Sequence, residues 1–156
     1  MVPYSDVLAG RDPQAVITET PSRLAGVLDR LTTEQIKTPT APGKWSVREV
    51  MAHMADCEIA WGWRLRQAYA GNHVIQLFEQ DLWARSYNAY TYAAARSTFE
   101  ALRAWNIAFI AALSEEDRRQ RVDHPERGAE RLWTLVEIMA GHDLHHVRRL
   151  EELFAA

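Results

Sequence analysis

Three of the six histidines, His142, His145 and His146, fall within five positions. On a helix advancing about 100° per residue, His142 and His146 stand about 40° apart and one turn from each other. Two imidazoles at i and i+4 can share one metal ion. Leu135, Met139, Leu150 and Leu153 fall on the same stripe, so that face is the one a folded chain turns inward. His145 falls at the edge of the stripe, about 60° to the other side. A third nitrogen is available in His53, one turn from Cys57 and beside Val50, Met54 and Leu65. His73 and His124 lie in expected loops. The expected metal ligands are therefore His53, His142 and His146. Three nitrogens leave positions open for water or substrate, the mark of a catalytic rather than a structural site. Imidazole nitrogens suit zinc, nickel, iron and copper alike, so spacing alone does not choose among them.

Other residues fall near this set. Asn106 lies on an apolar helical stripe, where its amide either aims at a metal-bound water or substrate or joins two helices. Asp56 and Asp143 each stand close to an expected ligand. Either could accept the second N–H of a ligating histidine, fixing its tautomer, or could pair with an arginine. His145 is a candidate general base at the mouth of the site, or a solvated fringe residue. Cys57 is either a fourth ligand or a small buried hydrophobe.

These residues need helices to bring them together. Glycine and proline cluster at TPTAPGKW, at Gly71 and at HPERG, and the stretches between have helical spacing without strand-like alternation. A first helix is expected over 13–31, opened by Asp12-Pro13, with Pro21 either kinking it or marking Thr20 as the true cap. A second starts at Ser46, whose spacing to Glu49 is that of a capping box, and runs to about residue 70. A third spans roughly 91–113 and a fourth roughly 130–154, with a short helix starting near Asp81. The expectation is all-α: one four-helix-bundle domain over 1–156 with longer connections.

Composition narrows the functions. The chain has 156 residues, 18 Lys+Arg, 21 Asp+Glu and a formal charge of −3. That excludes the basic excess a nucleic-acid or membrane-surface binder carries. A lone cysteine removes any disulfide framework. No secretory leader and no apolar run of membrane-spanning length is read, so a cytoplasmic protein is expected. No Ser/His/Asp arrangement, phosphate loop or dinucleotide motif supports another chemistry.

The stretch GKWSVREVMAHMADCEIAWGWRLR, with Trp45, Ser46, Glu49, His53, Asp56 and Arg64, resembles the first signature of the DinB superfamily. HPERGAERLWTLVEIMAGHDLHHVRRLEEL, ending in His142 and His146, resembles the second. TPSRLAGVLDRL, FEQDLW and the pair Arg103 and Asn106 resemble further parts in the right order, so the likeness covers nearly the whole chain. It implies a four-helix bundle running up-down-down-up, often a homodimer, holding a divalent ion on three histidines. Zinc or nickel comes first, with iron or manganese behind. The family includes thiol S-transferases that use bacillithiol or mycothiol, a mycothiol-dependent maleylpyruvate isomerase, and many members described only as metal-dependent hydrolases. Three positions depart from its usual pattern: His145 stands where Asn is usual, Arg149 where Gln is usual, and Glu79 where Asp is common.

Two functions follow as expectations. One is an enzyme that hydrolyses a small molecule or transfers a low-molecular-weight thiol to it, the ion acting as Lewis acid. The other is a non-catalytic metal- or small-molecule-binding bundle of a stress response, using the same histidines.

Overall fold

Side-chain caps start three of the four long helices. Asp12 accepts from the Gln14 N–H, with Pro13 at the first helical position. Ser46 and Glu49 satisfy each other's backbone N–H groups reciprocally. Thr91 accepts from the Ala94 N–H.

The computed structural model describes residues 2–155. A single turn, α1 (Ser5–Leu8), precedes the long α2 (Pro13–Leu28) and the short α3 (Thr33–Lys37). The second long helix, α4 (Val47–Tyr69), is followed by a loop, α5 (Gln80–Trp83) and a 3₁₀ segment (Ala84–Ala89). Then come the long α6 (Tyr92–Ala111) and the short α7 (Glu115–Arg119). An antiparallel hairpin, β1 (Arg121–His124) with β2 (Gly128–Arg131), leads into the last long helix, α8 (Leu132–Leu153).

Side-chain pairs fix the directions. Glu58 meets Arg103 at 2.5 Å and Arg66 meets Asn106 at 2.8 Å, so α4 and α6 run parallel. Arg103 donates to Ile17 O and Asp143, while Arg23 pairs with Glu151, so α2 and α8 run parallel. Asp29 meets Arg96 at 2.7 Å, which sets α2 antiparallel to α6. His53 lies beside His146 and Cys57 beside His142, which sets α4 antiparallel to α8. The order is up-down-down-up, as expected. Because α4 and α6 share a direction, residues 70–91 must travel back along the bundle, which is why that connection is long.

Four features differ from the sequence reading. The first helix ends at Leu28, and a separate turn with its own Thr32–Gln35 capping box follows it. Pro21 does not end α2, and Asp12, not Thr20, is the cap; Thr20 bonds back to Val16 O. Beyond the expected third helix, Ser114 and Asp117 form the capping box of a short helix, α7, that was not expected. No strand was expected, yet 121–131 forms the hairpin, with Gly128 at φ +81° beside its turn. Four-residue strands are too short to show alternation. Among the described residues no helix is long and apolar enough to cross a membrane.

Candidate metal centre

The first long helix explains part of the site at a distance. Pro21 has no N–H, so the Ile17 carbonyl four residues back lacks its helical donor. Arg103 supplies one, Nη1 donating to Ile17 O at 3.2 Å. The same guanidinium binds Asp143 through both terminal nitrogens and Glu58 through Nη2. Arg103, Glu58 and Asp143 have side chains fully withdrawn from solvent. Asn106 Nδ2 donates to the Glu58 carbonyl and carboxylate, at 3.0 and 2.9 Å, while its oxygen accepts from Arg66. This network crosslinks α2, α4, α6 and α8 at mid-height.

Directly beside it the three expected histidines meet. His53 comes from the early part of α4, and His142 and His146 from one face of α8. His53 Nε2 is 2.9 Å from His142 Nε2, and His146 Nε2 is 3.1 Å from the same atom. Trp45 packs on His53 at 4.9 Å between ring centres, and Trp61 stands edge-on to His142 at 4.8 Å. Tyr4, at the start of α1, packs on His142 and His145 at 5.7 and 5.8 Å. The Tyr87 hydroxyl lies 3.3 Å from His53 Nδ1.

All three rings are held neutral. Burial pulls His53 down to about 4. Burial, then the charges of His53, His145 and Arg149, pull His146 down to about 3. His142 lies well below its ordinary value for the same first reason, with His146 and His53 adding to it. Each neutral ring has one N–H, and one proton on His142 Nε2 can serve only one of its two close contacts. A cation bound to all three removes that frustration. Two imidazole nitrogens bonded at about 2.0–2.1 Å to one ion stand roughly 2.9–3.4 Å apart, the range found here. The residues present therefore fit a divalent ion. His142 Nδ1 is left as a buried atom with no hydrogen-bond partner among the described residues.

The Cys57 sulfur completes a potential donor group with His53 and His142. It lies 3.6 Å from His53 Nε2 but 3.8 Å from Nδ1. A ligand in front of Nε2 would stand roughly 1.5 Å farther from Nδ1 than from Nε2. The sulfur is beside the ring, not before the lone pair. Burial, with Glu58, Asp143 and Asp56 nearby, holds the thiol well above its ordinary value. Cys57 is packing under the site.

For the flanking residues the structure shows, of the two readings left open, mostly the structural one. Asp143 turns its carboxylate to Arg103, not to a histidine N–H. Asp56 makes no hydrogen bond to a ring nitrogen, and Tyr87 takes that place on His53. Asn106 joins helices instead of facing the histidines. His145 is exposed, packed against His146 and Tyr4 at the rim. His73 is exposed, whereas His124 is a buried hairpin residue bonded to Arg127 and the Glu126 N–H.

Sequence reasoning missed Glu58, Tyr87 and Tyr4. Glu58 had a signal: Val47, Met51, Met54, Glu58, Trp61, Leu65 and Ala68 share one three-four row of α4, so a carboxylate sits in the core stripe. Arg103 sits likewise between Phe99 and Asn106. Tyr87 and Tyr4 lie outside periodic segments and had none.

Comparison with known proteins agrees with this architecture. The family model of the DinB superfamily matches residues 17–150. A protein of Oceanobacillus iheyensis named "putative metal-dependent hydrolase" is 30% identical over 139 residues, 88% of this chain and 81% of its own length. A Bacillus cereus protein of the same name is 25% identical, covering 88% and 80%. Bacillus subtilis YfiT, described as "a probable metal-dependent hydrolase with an unusual four-helix bundle topology", superposes with a TM-score of 0.80. It is 21% identical, over 90% of this chain and 83% of its own.

Proposed function

The chain belongs to the DinB superfamily, and from that premise we propose a divalent-metal-dependent enzyme acting on a small molecule by hydrolysis or by thiol transfer. The observation that carries this reading is the meeting of three neutral imidazoles, with the His53 and His146 Nε2 atoms 2.9 and 3.1 Å from His142 Nε2, two close contacts that one proton there cannot both serve. His53, His142 and His146 are the proposed ligands, with zinc or nickel the proposed ion and iron or manganese next. When bound, such an ion supplies Lewis acidity, bringing the ionisation of water or a thiol toward neutral pH. The chain's own residues do the rest. Tyr87 contacts His53 at Nδ1, and in the tautomer whose Nδ1–H donates to the tyrosine hydroxyl, Nε2 keeps its lone pair toward the site. Trp45 and Trp61 shield His53 and His142 from solvent. His145 stands exposed at the rim, packed against His146 and Tyr4.

Elemental mass spectrometry of the untagged protein beside His142→Ala tests the reading. About one divalent ion per chain, lost in the variant, is the expected result. No metal in either after incubation with zinc, nickel, iron and manganese overturns it. Metal-replete protein is then assayed on activated esters, and on a thiol with an electrophile. Metal-dependent turnover of the ester alone assigns hydrolysis, and of the thiol pair alone, transfer.

A further inference from the structure

One cavity of about 230 Å³ opens against the histidine cluster. His146 lines it, and Trp45, Val50 and Leu150 give it apolar walls. Trp45 is also the ring that packs on His53, so the cavity touches the cluster from both helices. Two cations complete the lining, Lys44 and Arg149. No carboxylate lines it, in a chain where acidic residues outnumber basic ones by 21 to 18. Among the described residues neither cation makes an ion pair or a side-chain hydrogen bond, unlike Arg11, Arg23, Arg96, Arg121 and Arg127, which pair with Asp or Glu. Arg149 and His146 line it together from α8, three residues apart. An apolar hole with two unpaired cations and no acid is complementary to an anion with an apolar body. At roughly 30 Å³ per water, its volume suits a ligand of about eight non-hydrogen atoms.

We propose that this cavity is the substrate subsite of the histidine centre and takes a small apolar carboxylate. The carboxylate lies between Lys44 and Arg149, the hydrocarbon against Trp45, Val50 and Leu150, and the reactive end toward His146. The assignment of a reactive end rests on the metal-enzyme reading; the binding itself does not.

Calorimetric titration with hexanoate, hexan-1-ol and hexylamine tests it, using zinc-loaded wild type, Lys44→Met, Arg149→Met and metal-free His142→Ala. Lys44 and Arg149 are exposed, and their variants keep wild-type helicity and zinc content, which circular dichroism and elemental analysis check. Hexanoate binds to wild type at least tenfold tighter than hexan-1-ol, and hexylamine does not bind. Each methionine variant weakens hexanoate about tenfold without changing zinc content. Equal binding of hexanoate and hexan-1-ol, or an Arg149→Met chain with wild-type hexanoate affinity, overturns the proposal. So does inorganic phosphate displacing hexanoate at equal concentration, because the apolar walls then contribute nothing. Failure of the metal reading looks different: no zinc in any chain, with hexanoate binding still dependent on Arg149.

Discussion

Replacing Arg103 by methionine removes the one cation between two fully buried carboxylates. Glu58 keeps the Asn106 amide at 2.9 Å, but Asp143 loses both of its guanidinium bonds. Removing one partner of a buried ion pair costs about 3–5 kcal/mol. A second route gives the same figure. One buried carboxyl escapes the penalty by taking up a proton, first of all Glu58, which burial already raises and Arg103 holds back; keeping a carboxyl neutral at pH 7, about 3 pH units above its unfolded-state value, costs ~4 kcal/mol. The two estimates share a consequence. The variant's folded state binds a proton that its unfolded state does not, so its deficit shrinks as pH falls. Between pH 7 and 5.5 it shrinks by about 2 kcal/mol. Urea unfolding of both metal-free chains at the two pH values measures this, and the difference between chains cancels the histidine titrations they share. Adding Asp143→Asn restores more than half of the loss. A deficit below about 1 kcal/mol at pH 7, or one equal at both pH values, refutes the claim that Arg103 neutralises buried charge.

Three further outcomes follow from the geometry. The metal-free protein loses stability as pH drops below about 6.5, because the unfolded state takes up protons that His53, held down to about 4, refuses. His53 alone contributes about 1.4 kcal/mol per pH unit across that window, and urea unfolding at pH 7 and 5 that gave equal stabilities would contradict it. Gly141→Ala places a methyl 2.5 Å from Tyr4 Cβ and 2.8 Å from Tyr4 O, so the first helical turn must lift from α8. The cost is about 1–3 kcal/mol, seen as faster amide exchange over residues 5–8, and unchanged exchange there argues against the close approach. Tyr87→Phe removes the hydroxyl 3.3 Å from His53 Nδ1 and weakens zinc binding about tenfold in a chelator competition; an unchanged affinity rules out that orienting role.

The bundle and its three histidines were legible for a single reason: both are written in a 3.6-residue period. His142 and His146 fall on the Leu135–Met139–Leu150 stripe, and that stripe became the buried face of α8. Caps at Asp12 and Ser46 have local signatures and were found where expected. The up-down-down-up order is not periodic information and came from resemblance. What stayed hidden was set by tertiary contact. The β1–β2 hairpin is too short for its alternation to register, and Tyr87 reaches His53 from a 3₁₀ segment with no pattern of its own. The alternatives left open for Asp143 and Asn106 illustrate another limit. Sequence adjacency to a ligand says nothing of direction, because successive helical side chains diverge by about 100°. Asp143 therefore points to α6 while His142 points to α4.

That divergence links the two polar systems in the core. His142 and Asp143 leave α8 in different directions, one toward the histidine cluster and the other toward Arg103. His53 and Glu58 divide α4 in the same way. Each helix that supplies an imidazole thus also supplies a carboxylate to one guanidinium. Arg103 fixes how far α4 and α8 can slide, and the Pro21 gap ties α2 to the same point through Ile17 O. Burial raises Glu58, and when both carboxyls are ionised they leave a formal excess of one negative charge against one guanidinium, buried beside three neutral imidazoles. Such an excess penalises an empty cluster and favours a cation between the rings. The buried network is thus both the clamp that sets the spacing of the histidine nitrogens and the charge that a bound divalent ion would offset.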